Sequence, residues 1–451
     1  MSSEKPACAD LRRNVPDDWE VCSLDSVTDF QEGPGILAKD FQDAGAPLLR
    51  LRNIESTVVN LKGCNFLSPA KVAGKWQHFC LMEGDMLIST SASLGRVSVV
   101  GPDAVGSIAY TGIIRFRSSS QKLHHKYLRA FLSSAAFVQQ AEQMATGSVI
   151  KHFGPSHLRQ MAIALPSLGE QREIAEIFDA LDNRITLLRE TNATLEALAQ
   201  AIFKSWFVDF EPVRAKMEGR APEGMDEATA ALFPGSFEES ELGQVPKGWR
   251  ACSFIETISV IGGGTPKTSV LEYWNGDIPW FSVVDAPAET DVFVIDTEKH
   301  ITEVGLNNSS TKLLLAGTTI ISARGTVGRL ALVGRNMALN QSCYGLRGKA
   351  GDDYFTYFST YRLVEKLKQR THGSVFDTIT RDTLAGISVI YPHESAINAF
   401  ENLLSPIMGR IKENLKQAQT LANLRDTLLP RLISGKLRLP EAENTIAEAI
   451  A

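Results

Sequence analysis

Residues 170–207, EQREIAEIFDALDNRITLLRETNATLEALAQAIFKSWF, constrain this chain more than any other stretch. Steps of four and three from Ile174 land on Phe178, Leu181, Ile185, Leu188, Asn192, Leu195, Ala199, Ile202 and Trp206. This is a heptad seam with a single polar member, Asn192. No Gly or Pro interrupts it, and Leu, Ala, Glu and Arg all favour helix. At about 1.5 Å per residue the helix would be roughly 55 Å long. Such a seam needs a partner helix. One long helix of an ordinary bundle would also explain it, and a second feature argues against that alternative.

The second feature is a repeat. About 226 residues further on, residues 395–432 carry a comparable seam: Phe400, Leu404, Ile407, Ile411, Ala418, Leu421, Leu428 and Leu432. It is less regular near Asn414 and Arg425, and Pro406 and Pro430 mark expected kinks or boundaries. Upstream, Val15-Pro16-Asp17-Asp18-Trp19 answers Val245-Pro246-Lys247-Gly248-Trp249, and Gly147-Ser148-Val149 answers Gly373-Ser374-Val375. Leu165-Pro166 answers Tyr391-Pro392. The period is too long for a solenoid, so each half is a globular domain followed by a long helix.

Length and composition fit this picture. The chain has 451 residues, room for two to four domains, with 44% hydrophobic and 22% charged residues, as in soluble globular proteins. Residues 1–14 lack an apolar signal core and there is no long apolar run after them, so a cytoplasmic location is expected. The six cysteines are scattered, without C-x-x-C spacing, and no structural metal site suggests itself. The net charge of −6 does not advertise nucleic-acid binding, although its distribution matters more than its sum.

In chain order, we expect a loose leader at 1–14, an α+β domain at 15–165, a long helix at 166–210 and a connector at 211–244. Then come a second α+β domain at 245–392, a second long helix at 393–438 and a polar tail at 439–451. Within the first domain, 85–90, 95–100 and 112–116 read as strands and 126–144 as an amphipathic helix. Thr319 to Arg329 aligns with Leu87 to Arg96. The connector holds a short helix at 227–233.

Catalytic grammar is sparse. There is no phosphate-binding G-x-x-x-x-G-K-[ST] loop and no H-E-x-x-H. Gly262-Gly263-Gly264-Thr265-Pro266 lacks dinucleotide spacing, and His152 and His157 read as loop residues before ligands. Binding grammar is richer. In the second domain, Thr265, Lys267, Trp280, Ser282, Arg324, Thr326, Arg329, Asn340, Gln341 and Ser374 could read base edges or grip phosphates. In the first, Ser89, Thr90, Ser91, Arg96, Lys151 and His152 could do the same. Each of these residue types serves equally well as a solvated loop residue or turn former.

Three stretches now point to one family. Pro166-Ser167-Leu168-Gly169-Glu170-Gln171-Arg172-Glu173-Ile174-Ala175, Phe203-Lys204-Ser205-Trp206-Phe207-Val208-Asp209-Phe210 and the connector run Val213–Gly219 resemble the specificity (S) subunit of type I restriction–modification systems. Gly264-Thr265-Pro266 with Trp274 and Ile278-Pro279-Trp280, Gly373-Ser374-Val375, and Leu429–Leu437 resemble its later elements. The first domain departs from the pattern, with Gln31-Glu32-Gly33-Pro34-Gly35 where Gly-Thr-Pro would stand.

The resemblance implies two target-recognition domains separated by a pair of long antiparallel coiled-coil helices, related by a pseudo-two-fold axis. Each domain would read one half of a bipartite double-stranded DNA site. The helices would dock two methyltransferase (M) subunits, and restriction (R) subunits would join that core. S-adenosylmethionine, ATP and Mg would belong to the partner subunits; this chain would hold no cofactor and perform no catalysis. Helix pairing would fall to Ile174, Phe178, Leu181, Ile185, Leu188, Asn192, Leu195 and Ile202, with Phe400, Leu404, Ile407, Ile411, Leu421 and Leu428 opposite. Asn192 either fixes register or is a tolerated edge residue. A stand-alone DNA methyltransferase or nuclease is the first alternative, weakened by the missing cofactor loop. A coiled-coil scaffold without a DNA role is the second, and it leaves the repeated domains unexplained.

Overall fold

A computed structural model of the protein describes residues 6–90, 96–144, 153–287, 291–370 and 378–450. The chain forms two compact units, Met1–Thr186 with Gln419–Ala451, and Leu187–Ala418. Both mix helices and sheet, as the α+β expectation requires. Among the described residues, no helix is long and apolar enough to cross a membrane.

Strand pairing exposes the duplication more sharply than the sequence does. In the first unit, Glu20–Ser23 pairs antiparallel with Ala162–Leu165. A four-stranded sheet orders Thr28–Glu32, Ile113–Ser118, Met86–Ser89 and Ser98–Val99. A second sheet ends in a parallel pair, with Leu48 opposite Ile108 and Leu49 opposite Ala109. The second unit repeats each device. Arg250–Ser253 pairs with Ser388–Tyr391, and Ile258–Gly262, Cys343–Gly348, Thr319–Ser322 and Leu330–Val333 are successive neighbours. A parallel pair again sets Trp280 opposite Ala338 and Phe281 opposite Leu339.

This register corrects one sequence alignment. Met86 faces Phe116 and Ser89 faces Ile113, while Thr319 faces Leu346 and Ser322 faces Cys343. Met86, not Leu87, therefore holds the place of Thr319. Both strands are buried along their whole length, so no in–out alternation marked the correct face in the sequence. The expected helix at 126–144 is two, His125–Ser133 and Ala135–Met144, with a break at the buried Ser134. The helix in the connector is Glu227–Ala231.

Two segments expected to lack regular structure, one in the leader and one in the polar tail, are helical. Pro6–Arg12 is helical and packs on the pair Glu20–Ser23 and Ala162–Leu165, with Cys8 buried and Ala7 and Leu11 against the same core. Leu439–Ile450 is a helix that buries Ala442 and sets Ile446 on that core. Short apolar spacings within polar segments carry both, too short to read as periodicity beforehand.

The two long helices are Leu168–Phe207 and Glu394–Ile433, each 40 residues, and each runs from one unit into the other. In the first unit, Ile174 and Phe178 share a core with Leu428 and Leu432 of the second helix. Asp182 accepts an ion pair from Arg425 at 2.9 Å, and Arg129 joins Asp179 at 3.0 Å. In the second unit, Asn192 Nδ2 donates to the Ile411 carbonyl at 3.0 Å, and Asn414 Nδ2 donates to Asn192 Oδ1 at 2.9 Å. The start of one helix thus meets the end of the other, and the pairing is antiparallel. The two irregular seam positions, Asn414 and Arg425, are those that meet polar partners. Pro406 and Pro430 do not break the second helix; each forfeits one backbone donor inside a helix held by its apolar face.

The seam also changes phase. After Asn192 the buried positions are Glu196, Ala199, Phe203, Trp206 and Phe207, and Leu195 and Ile202 are only half-buried. In the second helix Met408 is buried beside a half-buried Ile407, without a change of phase. In the first helix two successive four-residue steps, 188–192–196, form a stutter that locally unwinds the supercoil, whereas the second helix keeps its seven-residue register through Ile411, Ala418 and Leu421. Beyond the stutter lies an aromatic hub. Phe203 sits 5.7 Å from Phe400 and 5.6 Å from Phe355, Trp206 lies 5.2 Å from Phe233, and Phe207 stacks edge-on to Phe355 at 5.0 Å. Phe210, in the left-handed region at φ 55, turns the chain into the helix Glu211–Met217 while its ring stays buried.

Both the buried asparagine pair and the buried carboxyl of Glu196 give measurable outcomes. Asn414→Leu alone should cost about 1–3 kcal/mol by stripping Asn192 Oδ1 of its donor, whereas Asn192→Leu with Asn414→Leu should recover most of that loss in thermal melts. The Glu196 carboxyl is pushed up to about 6 from 4.5, chiefly by burial, against the opposing hydrogen bond from Gln200. Its protonated form stabilises the fold at low pH, and that contribution disappears as pH rises through 6. Glu196→Gln should therefore stabilise at pH 8 by roughly 2 kcal/mol and give no gain at pH 4.5, read by melts across pH.

Candidate nucleic-acid interface

The second unit builds a rim at the ends of its strands. Gly263 passes so close to the next strand that a Cβ would lie 1.9 Å from the Asn340 carbonyl oxygen, so only glycine fits. Gly264 N donates to the Leu339 carbonyl at 3.0 Å. That approach seats Thr265 beside Gln341, and the Thr265 hydroxyl donates to Gln341 Oε1. Trp280 Nε1 donates to the Gly264 carbonyl at 3.0 Å, and Trp274 stands edge-on at 5.2 Å with its Nε1 on the Lys267 carbonyl. The Gly-Thr-Pro segment is thereby held by two indoles.

Asn340 N donates to the Phe281 carbonyl at 2.9 Å, and Asn340 Oδ1 accepts from Ser342 N at 3.0 Å. Its Nδ2 has no partner among the described residues. Backbone bonds from Ala323 N and Arg324 N to the Ser342 carbonyl, 2.8 and 3.2 Å, bring Arg324 to the same rim. Arg324 is exposed and has no ion pair among the described residues. Ser322 Oγ donates to the Thr326 carbonyl at 2.5 Å and accepts from Arg329 N at 2.8 Å, closing the turn.

Several predicted residues serve the scaffold instead. Trp280 is buried. Both Ser282 N and Ser282 Oγ are committed to Asp285 Oδ2, at 2.8 and 2.9 Å. Arg329 spends its Nη2 on the Pro287 carbonyl at 2.9 Å. The exposed members are Thr265, Lys267, Arg324, Thr326 and Gln341, with Asn340 half-buried. An arginine fork, side-chain amides and hydroxyls suit base edges and phosphates.

In the first unit, Ser89 and Thr90 are buried, and Thr90 Oγ1 donates to the Gly112 carbonyl at 3.2 Å. They hold strands together and do not line a surface, which corrects the expectation for both. Arg96 is exposed. Ser91, Lys151, His152 and Ser374 lie outside the described residues. Gly33 takes the place of Gly263: a Cβ there would lie 2.1 Å from the Ala109 carbonyl oxygen. The departure at Gln31–Gly35 thus keeps the glycine approach and alters the residues on its C-terminal side.

The parallel pair brings in two residues the sequence did not single out. Leu49 and Ala109 match Phe281 and Leu339, so Arg50 stands where Ser282 stands and Tyr110 where Asn340 stands. In both units the strand-end backbone N–H is held by a side chain three residues on, Arg50 by Asn53 Oδ1 and Ser282 by Asp285 Oδ2, each at 2.8 Å. No local motif marks this equivalence; only the strand register does.

Comparison with known proteins agrees with this architecture. The sequence model of the type I restriction modification DNA specificity domain matches residues 16–197 and 246–417. The chain is 28% identical over 322 residues to the HindI type I restriction enzyme specificity subunit of Haemophilus influenzae, covering 61% of this chain and 69% of that one. It is 22% identical over 448 residues to the MjaIX specificity subunit of Methanocaldococcus jannaschii, covering 95% of each. The crystal structure of a type I restriction-modification system S subunit from M. genitalium shares the fold, with a TM-score of 0.51 at 15% identity over 93% of this chain and 96% of that one. With both halves of the repeat matched by one family model, the chain belongs to the type I restriction–modification DNA specificity family.

Proposed function

We propose that this specificity subunit reads a bipartite, asymmetric double-stranded DNA site, one half-site per reading domain, those domains spanning about 15–165 and 245–392. One observation carries the reading. The two units share a scaffold down to strand register, yet differ at the strand ends, where Arg50 and Tyr110 replace Ser282 and Asn340. A duplicated frame with divergent rims is what two different half-sites require.

In this reading the long helices set the distance between half-sites and dock two methyltransferase subunits, with restriction subunits joining the core. The chain works in the cytoplasm and is not itself catalytic; S-adenosylmethionine, ATP and Mg act on the partner subunits. The acidic balance fits if partners supply much of the phosphate contact, so the isolated chain should bind random DNA weakly and with a shallow salt slope.

Two experiments test this. Removing one heptad from each long helix at matched positions should shorten the gap between methylated half-sites by ~3 base pairs, about 10 Å, and an unchanged spacer contradicts the spacing role. In the complex with methyltransferase subunits, Arg324→Ala or Gln341→Ala should lower preference for the second half-site by about 1–3 kcal/mol while leaving the first unchanged. Loss of preference at both half-sites, or at neither, would count against one reader per unit.

A further inference from the structure

We infer that Arg50 is a base-reading side chain of the first unit and takes the acceptor edge of a guanine in its half-site. This rests on the proposed function above and adds the residue and the base.

Arg50 follows Leu49 at the end of a buried strand, the station occupied by Ser282 in the second unit. Its backbone is held firmly. Arg50 N donates to Asn53 Oδ1 at 2.8 Å, and the fully buried Asn53 donates from Nδ2 to the Asn60 carbonyl at 2.8 Å and the Lys62 carbonyl at 3.2 Å. Its guanidinium lies over two rings, 5.1 Å from the Phe41 centroid and 5.5 Å from that of Tyr110. The Tyr110 hydroxyl donates to the Ile36 carbonyl at 3.2 Å, which fixes the ring. Contact with aromatic faces orients a planar cation and leaves its edge as the recognition surface.

The side chain also lacks the carboxylate partner that Arg115, Arg117 and Arg129 have. Arg115 pairs with Asp29, Arg117 with Asp85 at 2.7 Å and Arg129 with Asp179 at 3.0 Å. Arg50 has no carboxylate among the described residues, and its buried Nε, like those of Arg115 and Arg129, has no acceptor. A half-buried guanidinium without a partner is costly unless something else supplies acceptors. Guanine O6 and N7 present two acceptors in the plane of the fork, the most frequent specific arginine contact to DNA. Lysine, a point charge, cannot reproduce it.

The test uses the complex reconstituted with methyltransferase subunits, a randomised DNA library as probe, and sequencing of methylated sites. Arg50→Lys keeps a cation beside the rings and so keeps the fold; Arg50→Ala removes the group. Both should relax one G·C position of the first half-site by roughly 10- to 100-fold in preference and leave the second half-site intact. An unchanged motif with uniformly weaker binding would make Arg50 a phosphate contact, and an unchanged motif with unchanged binding would make it structural; either overturns the inference. Should Arg50→Ala fail to assemble, Arg50→Lys alone decides. A wild-type complex that methylates no defined motif would instead defeat the proposed function, so the two failures are distinguishable.

Discussion

Burial of the apolar seam between the two long helices is the constraint on which the rest depends. Helices of this length are held less by intrinsic propensity than by the face they bury. Here that face includes Ile174, Phe178, Leu188 and Phe203 on one helix and Phe400, Leu404, Leu421 and Leu432 on the other. The hydrophobic term supplies most of the energy, but it is indifferent to sliding by a heptad. Direction and register come from polar pairs. Asn192 with Asn414, and Asp182 with Arg425, are satisfied only when the helices run antiparallel with these turns opposed.

The seam also explains why the family-like segments at Phe203–Phe210 are aromatic. The first long helix ends in the second unit, where its last turns must serve the helix pair, the connector and the following domain together. Large rigid rings can contact all three with little rotamer entropy lost. Trp206 and Phe207 accordingly touch Phe233, Phe355 and Phe400 within one cluster.

Duplication of a domain releases its strand ends from sharing one chemistry. The frame is conserved between the units by hydrogen bonding: a glycine against a strand-end carbonyl, a strand-end N–H held from three residues ahead, a short parallel pair beneath. None of these devices cares which side chain projects from the rim. Arg50 between Phe41 and Tyr110, and Thr265 bonded to Gln341, are two different chemistries on one scaffold.

Much of this was legible in the sequence because it is periodic or repeated. The heptad spacing foretold two long helices, and the Trp19 and Trp249 segments foretold a duplicated domain with mixed helices and strands. The phase change at Asn192 was not legible, since Leu195 and Glu196 are both acceptable helix formers and only the opposing helix decides which is buried. The candidate rim was half legible. By residue type Thr265, Arg324 and Gln341 suit DNA contact and they reach the surface, whereas Ser89, Thr90 and Trp280 suit it equally and are buried. Arg50 and Tyr110 carried no local signal. By itself the sequence determined the two long helices, that they pair, and that the domain is doubled, because periodicity and repetition are properties of order along the chain. Only the tertiary structure decided which loop residues face outward and which positions of the two halves correspond, because both depend on hydrogen-bond register between strands distant in sequence.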